Sequence, residues 1–335
     1  MTIPYIRTPD YLSPTSVAQF HKDREEYYRK YLGAKMPRMA QTEPMSVGSA
    51  FDAYVKNYLA VSLGMSEATS SGEDSLDLDY LLTHQVEEAN REFAYEAGKH
   101  CFLTYKRLGA CAELMKELES GGNIKFESTV RATMSTGVEG LPDMTLMGKP
   151  DLYFYNKDGE LVIIDWKVNG YCSKSGASPR KGFVRMLASK GGQLVKTCHK
   201  DAQPMLDGGL ILNVAAPLDT CDPSWAAQVG IYGWVLNATN GRDPRGAIIA
   251  GIDQLACKPA SGGVAIRVAS QRSRISLPFQ AKLWDDCIEC WAAICNGTVV
   301  SDTVRRRLDL EVAAFESDGS VNDEWFNSTM RKHRW

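Results

Sequence analysis

Residues 148–170, GKPDLYFYNKDGELVIIDWKVNG, carry two charged residues into what should be a wholly apolar buried strand. The four apolar residues 161–164 run directly into Asp165, and Lys167 follows one tryptophan later. The segment NKDG precedes this run and is typical of a hairpin turn between strands. The pattern therefore predicts two paired strands that end in ionisable side chains.

The hairpin brings the residues on either side of its turn face to face, so Asp151 and Asp165 can share one divalent cation. Their hard oxygen ligands suit Mg²⁺ or Mn²⁺. Lys167 lies two residues after Asp165 and points to the same side of the strand, where it can hold and polarise an attacking water. The alternative is a buried Asp–Lys salt bridge, which we disfavour because desolvation of both charges is costly and a further aspartate would add nothing to it.

Composition places the chain among ordinary globular proteins. At 335 residues it can bury a sizeable core, and it contains no long apolar stretch or secretion signal, so we expect a cytoplasmic protein without membrane contact. Its nine cysteines form an odd set without a regular framework, which indicates reduced thiols. The net charge of −3 argues against a uniformly basic nucleic-acid-binding surface but allows a local basic patch.

The order of elements predicts one α/β domain. Helical patterns come first, a group of strands follows, and a helix, a second strand pair and a long amphipathic helix complete the chain. The long stretch at residues 169–222 fits none of these elements and is interpreted as an insertion. The predicted helices cover residues 13–33, 46–60, 79–98, 100–119, 223–240 and 278–297, and the predicted strands cover 124–134, 143–156, 161–168, 245–255 and 262–270.

The sequence resembles the PD-(D/E)XK nuclease superfamily at two places. KPD stands fourteen residues ahead of DWK, which matches Pro150-Asp151 and Asp165-Trp166-Lys167 to the signature of that superfamily. Downstream, QVGIY places Gln228 and Tyr232 one helical turn apart, similar to the Gln-x-x-x-Tyr motif of the RecB-like branch. The resemblance implies that these two side chains orient the active site and contact the DNA strand.

The N-terminal helices are also similar to those of the RecB-like branch, but with a departure from its Gly-x-x-x-His motif. Gly48 is followed by Asp52 where the motif has a metal-binding histidine. Aspartate also binds hard cations, so the resemblance implies Asp52 as a third metal ligand; the alternative is a solvent-facing residue on an amphipathic helix. Glu127 resembles the acidic residue that often lies beside the metal ligands in such folds, or is a plain exposed strand glutamate.

The acid-free stretch from Trp166 to Lys200 follows directly after the predicted site. A run of basic residues is usually a solvated loop, but this position favours contact with DNA phosphates. The candidate DNA-binding residues are Lys174, Arg180, Lys181, Arg185 and Lys190.

Taken together, the resemblance implies a restriction-endonuclease-like core with a central mixed β-sheet flanked by helices. We expect an N-terminal helical segment at 1–120, a nuclease core at 121–300 with the basic insertion at 169–222, and a C-terminal helical tail at 301–335. The expected activity is Mg²⁺- or Mn²⁺-dependent DNA hydrolysis, with an exonuclease of the phage recombination type favoured over an endonuclease or a catalytically silent DNA- or protein-binding module. DNA is the expected partner, together with a single-strand annealing or replication protein; the oligomeric state is left open.

Two other cofactor patterns are disfavoured. Relatives with an iron–sulfur cluster use one cysteine in the first helix and three near the C-terminus, and CIECWAAIC supplies only the latter, whereas Asp23 stands at the first position. A zinc site lacks a second cysteine pair or a nearby histidine. The segment before Pro150 also lacks the residues of a phosphate-binding loop, so no ATP motor is predicted.

Overall fold

The computed structural model describes residues 8–33, 40–65, 75–174, 186–190, 193–197, 210–211 and 223–318. Within these residues helices alternate with one large mixed sheet, which confirms the predicted α/β class. The α-helices are α1 (Pro14–Lys22), α2 (Arg24–Tyr27), α3 (Glu43–Ser62), α4 (Leu78–Gln85), α5 (Arg91–Arg107), α6 (Ala110–Ser120), α7 (Pro223–Thr239), α8 (Leu277–Cys295) and α9 (Asp302–Asp318).

The main sheet has six strands in the order β1-β4-β5-β9-β10-β8. Strand β4 is antiparallel to both of its neighbours, β1 and β5. Strand β5 runs parallel to β9, β9 and β10 form a long antiparallel pair, and β8 is parallel to β10. The strands are β1 (Gly122–Phe126), β2 (Val130–Met134), β3 (Met144–Gly148), β4 (Leu152–Tyr155), β5 (Leu161–Asn169), β6 (Met186–Lys190), β7 (Gln193–Thr197), β8 (Leu210–Ile211), β9 (Ile248–Ala260) and β10 (Gly263–Arg274).

Both faces of strand β5 are buried, as its continuous apolar run requires. On one face Val162, Ile164 and Trp166 join an apolar cluster with side chains from α3, α5 and α6. Helix α7 packs against β5 and β9. Because side chains alternate along a strand, Asp165 and Lys167 point away from the cluster that holds Trp166.

Several predicted elements are shorter than expected, and each break has a local cause. The first helix is interrupted at Asp23, which is extended and uses its carboxylate to cap α2 by accepting the N–H of Glu26 at 3.0 Å. The two helices predicted over 79–119 are three, because Val86 is extended and Gly109 has a φ of 91°. The predicted strand 143–156 is split at Pro150, which has no N–H to donate to a ladder.

The predicted strand 124–134 is divided in the same way between β1 and β2. Glu127 stands at the break with a φ of 47°, a left-handed conformation that a strand interior does not accommodate. The insertion also contains structure that the sequence did not predict. Strands β6 and β7 form an antiparallel pair, and β8 lies at the edge of the main sheet.

The chain divides into two compact units. The larger, Met39–Ala132 with Met147–Leu283, contains the main sheet. The smaller consists of Met1–Arg38, Thr133–Leu146 and Trp284–Trp335, and it is held by internal contacts such as the hydrogen bond from Tyr28 Oη to Asp309 Oδ1 at 2.7 Å. Among the described helices, none combines the length and the apolar character needed to cross a membrane.

Candidate active site

The β4–β5 hairpin forms as predicted and sets the geometry of the site. Leu152 pairs with Ile164 and Tyr155 pairs with Leu161, with the turn closed by Gly159 at a φ of 73°. Asp151 lies immediately before β4, and Asp165 lies on β5 immediately after the residue that pairs with Leu152. The hairpin therefore brings the two aspartates to the same end of the two strands.

Asp151 is fixed from both its side chain and its backbone. Its Oδ2 accepts the backbone N–H of Trp166 at 3.1 Å, and its carbonyl oxygen accepts the N–H of Glu127 at 3.1 Å. The first bond joins the carboxylate to β5 at the residue between Asp165 and Lys167. The sequence elements PD and DXK are thus physically linked.

Asp165 and Lys167 form an ion pair of 2.7 Å between Oδ2 and Nζ, at an angle that gives no well-aligned hydrogen bond. Only 3% of the Asp165 side chain is exposed. Burial raises the pKa of Asp165 to about 6, with the Asp151 charge adding to the rise and Lys167 opposing it. The carboxylate is therefore held in a place where its negative charge is incompletely compensated by the protein.

Two hydrogen bonds in series connect Lys167 to Gln228 and Tyr232 on helix α7. The Lys167 ammonium donates to Gln228 Oε1 at 3.0 Å, and Gln228 Nε2 donates to Tyr232 Oη at 3.1 Å. An ammonium can only donate, so it fixes which way the amide points and leaves the Tyr232 hydroxyl proton available. Gly148 permits this arrangement, since a Cβ there would lie 2.2 Å from the Tyr232 ring.

Lys167 is a cation in this environment. Burial lowers its pKa, but the neighbouring Asp165 and Asp151 outweigh that effect, so the pKa is raised. The ring of Trp225 lies 6.0 Å from Nζ. A protonated lysine can orient water or a phosphate oxygen, but it cannot act as a general base.

Asp52 does not face solvent, which excludes the surface alternative for this residue. It lies on α3 with 16% of its side chain exposed, and its Oδ2 is paired with Lys56 one turn later. Burial raises the pKa of Asp52 to about 7, Lys56 opposes the rise, and Asp151 and Glu127 add to it. Its Oδ1 is buried and accepts no hydrogen bond, so one carboxylate oxygen is left without a partner.

Glu127 is the meeting point of several polar side chains. Its Oε1 contacts Lys56 Nζ at 2.5 Å and accepts from Gln85 Nε2 at 3.0 Å, and its Oε2 accepts from Lys149 Nζ at 2.7 Å. Burial would raise the pKa of Glu127, but the two lysines outweigh it and lower the pKa to about 2. Glu127 is therefore an ionised, fully engaged carboxylate and not an exposed strand residue.

The carboxylates fit a divalent cation in chemistry but are not assembled into a cage. Asp165 is buried beside Asp151 with its charge undercompensated, and Asp52 has an unpartnered buried oxygen, features that a hard cation would satisfy. Across the described ranges, no three Asp, Glu, His or Cys side chains are placed to hold one ion together. Asp52 is turned toward Lys56 instead.

The structure describes only two of the five predicted DNA-binding residues. Lys174 is exposed, and Lys190 belongs to β6, although its side chain is not described. Arg180, Lys181 and Arg185 lie outside the described residues.

Comparison with known proteins decides the family. A family model of the PD-(D/E)XK nuclease superfamily matches residues 11–186, which is more than half of the chain and includes Asp52, Glu127, Asp151, Asp165 and Lys167. The chain belongs to the PD-(D/E)XK nuclease superfamily. Membership implies a nuclease with DNA as substrate, and members generally use divalent metals such as Mg²⁺ or Mn²⁺.

No curated protein matches this superfamily member in sequence. Among solved structures it is similar to one titled "Crystal structure of SSO0001", at 12% identity and a TM-score of 0.27, over 82% of this chain and 84% of that one.

The cysteines considered for a cluster lie away from the PD-(D/E)XK residues in sequence and belong to the smaller unit, like Asp23. Cys287 and Cys290 are buried in α8, and Cys295 is exposed. Burial raises the pKa of Cys290 to about 12, so this thiol is protonated at neutral pH. The interpretation of these cysteines as small apolar side chains of the helix stays a prediction.

The sequence interpretation missed Lys56, Lys149, Gln85 and Trp225, all of which contact side chains of the site. A signal existed for Lys56, the only charged residue between Asp52 and Glu67 in an otherwise mostly apolar helix, and four residues after Asp52. Spacing of four residues places both on one face of a helix. Lys149 and Gln85 gave no such signal, because their partner Glu127 is distant in sequence.

Proposed function

We propose that this superfamily member is a Mg²⁺- or Mn²⁺-dependent deoxyribonuclease of the RecB-like branch that degrades linear DNA as an exonuclease. The RecB-like assignment is supported by Gln228 and Tyr232, which lie beside Lys167 in the order that the Gln-x-x-x-Tyr motif implies. The exonuclease preference is supported by the resemblance of the overall layout to phage recombination-type exonucleases. A role in recombination, replication or DNA degradation follows from the same resemblance.

One observation carries the chemical part of the proposal. Lys167 contacts Asp165 on its own strand and Gln228 on the neighbouring helix, while Asp151 is bonded to the backbone between Asp165 and Lys167. Three groups of different chemistry thus converge on one end of the hairpin. A purely structural salt bridge requires only the Asp165–Lys167 pair.

The protein groups have separable roles in phosphodiester hydrolysis. Lys167 is positively charged and would hold the attacking water or a phosphate oxygen through one of its N–H groups. Gln228 restricts where that ammonium can lie, because its Oε1 accepts a hydrogen bond from Lys167 Nζ, with 3.0 Å between the two atoms. Tyr232 retains a hydroxyl proton with which to contact the substrate.

Asp151, Asp165 and the unpartnered Oδ1 of Asp52 are the groups that would hold the divalent cation. A bound divalent cation would offset negative charge on the phosphodiester and lower the pKa of a coordinated water. The ionised Asp165 carboxylate destabilises the metal-free protein, since its charge is poorly compensated without a cation.

Sequence-independent binding of DNA is assigned to the basic residues that follow the site. Lys174, Arg180, Lys181, Arg185 and Lys190 would neutralise phosphates and set the register of the strand without reading bases. This assignment rests on the absence of Asp and Glu between residues 166 and 200.

Linear and covalently closed circular DNA of the same sequence, incubated with Mg²⁺ or Mn²⁺, distinguish the alternatives. Loss of the linear form alone supports the exonuclease, and cutting of both forms would indicate an endonuclease. A Lys167→Met variant serves as the matched control, because it keeps the length of the side chain without its charge. Binding without cutting by the unmodified protein would favour a catalytically silent DNA-binding module.

A further inference from the structure

Lys56 is a buried lysine inside the carboxylate cluster. Its side chain is 0% exposed, and its Nζ contacts Asp52 Oδ2 and Glu127 Oε1, the latter at 2.5 Å. Removal of an ammonium group from water costs several kcal/mol unless carboxylates surround it. Helix α3 presents Asp52 and Lys56 on one face, while Glu127 comes from the break between β1 and β2.

Glu127 reaches the cluster through an unfavourable backbone conformation. Its φ of 47° is uncommon for a residue with a side chain. Its backbone N–H donates to the carbonyl oxygen of Asp151 at 3.1 Å. The Lys56–Glu127 pair is therefore connected directly to Asp151, whose side chain is a proposed metal ligand. A lysine that only anchored α3 would not need a partner tied to the catalytic hairpin.

The formal charges in this cluster balance around one divalent cation. In their fully ionised forms Asp52, Glu127, Asp151 and Asp165 supply four negative charges, and Lys56, Lys149 and Lys167 supply three positive charges. The remaining single negative charge, one divalent cation and one phosphodiester anion sum to zero. A second divalent cation would leave an excess of two positive charges.

We propose that the Lys56 ammonium acts as a permanent internal cation between Asp52 and Glu127 and limits the active site to one divalent metal ion. This inference rests on the proposed metal-dependent function. Lys56 occupies the carboxylate oxygens that a second ion would need, since it engages Asp52 Oδ2 and Glu127 Oε1. It leaves Asp52 Oδ1, Asp151 and Asp165 for the first ion. Lys56 is thus a positioning residue that sets metal stoichiometry.

Metal stoichiometry, measured by isothermal titration of Mn²⁺ in the absence of DNA, tests the proposal. The unmodified protein is expected to bind one ion per chain. Lys56→Met keeps the apolar length of the side chain, removes the charge and frees two carboxylates, so it is expected to bind a second ion. Lys149→Met is the matched control, because it removes an exposed cation from the same Glu127 while Lys56 stays in place, and it is expected to bind one ion.

Three outcomes overturn the inference alone: two ions bound by the unmodified protein, one ion bound by a folded Lys56→Met variant, or a second ion bound by Lys56→Arg. The first needs no variant, so it decides the matter even if Lys56→Met fails to fold. Lys56→Arg, which retains the positive charge, should still bind one ion, and a second ion there would also contradict the proposal. An unmodified protein that binds no ion and cuts no DNA would instead refute the proposed metal-dependent function itself.

Discussion

Asp165→Asn is expected to stabilise the metal-free protein at neutral pH. The carboxylate has a pKa raised from 3.8 to about 6, mainly by burial, so the folded state holds its proton more tightly than the unfolded state does. Stability contributed by the protonated form is complete below pH 4 and is lost as the pH rises toward 6. A shift of this size corresponds to about 3 kcal/mol of lost folding free energy at pH 8. Asparagine resembles the neutral acid and avoids that loss.

The assay compares urea unfolding of the two proteins in EDTA at pH 4.5 and at pH 8. The variant should exceed the parent in stability by about 1 kcal/mol at the lower pH and by about 3 kcal/mol at the higher pH, because the Asp165 carboxyl is still mostly protonated in the folded parent at pH 4.5. Asp253→Asn is the matched control on the adjacent strand β9, because Asp253 is fully buried but compensated by Arg272 Nη1 at 2.8 Å and Tyr105 Oη at 2.5 Å. It should destabilise the protein by about 3–5 kcal/mol, as loss of one partner of a buried ion pair does. An Asp165→Asn effect that is destabilising or independent of pH would refute the reasoning.

Substitutions at three further places test other parts of the account. Asp52→Ala should weaken the Mn²⁺ titration of cleavage and Asp52→His should preserve activity with Mn²⁺ favoured, whereas an unchanged titration for the alanine variant would remove Asp52 from the ligand set. Simultaneous replacement of Arg180, Lys181 and Arg185 by alanine should weaken DNA binding for all sequences and reduce its salt slope by up to about three phosphate contacts, and an unchanged slope would make them a solvated surface. Gly148→Ala should lower both thermal stability and cleavage because its Cβ displaces a tyrosine ring, and a fully active variant would show that this ring position is unimportant.

Local patterns were enough to predict the hairpin. NKDG closes a two-strand unit, and the apolar run 161–164 identifies a strand that is buried on both faces. These features depend on residues close in sequence, so turn chemistry and strand alternation are sufficient. The mixed sheet was expected from the family resemblance and is confirmed. The predicted helices and strands are interrupted, however, at Asp23, Gly109 and Pro150.

The electrostatic surroundings of the site were not predictable in the same way. Glu127 meets Lys56 and Gln85 through contacts separated by 71 and 42 residues, and no local pattern encodes such pairings. The orientation of Asp52 toward Lys56 likewise depends on how α3 packs. The roles of the individual site residues, and the domain boundaries at 120 and 300, stay predictions.

Metal-dependent cleavage by Asp165→Asn, measured beside its DNA binding, tests the central claim most directly. With Mg²⁺ or Mn²⁺ and linear DNA, the variant should lose cleavage while its affinity for DNA stays close to that of the parent, because the lost charge is a metal ligand and not a phosphate contact. Cleavage that remains within about tenfold of the parent at saturating metal would contradict the assignment of Asp165, and with it the metal-dependent site, since removal of a required ligand should cost far more.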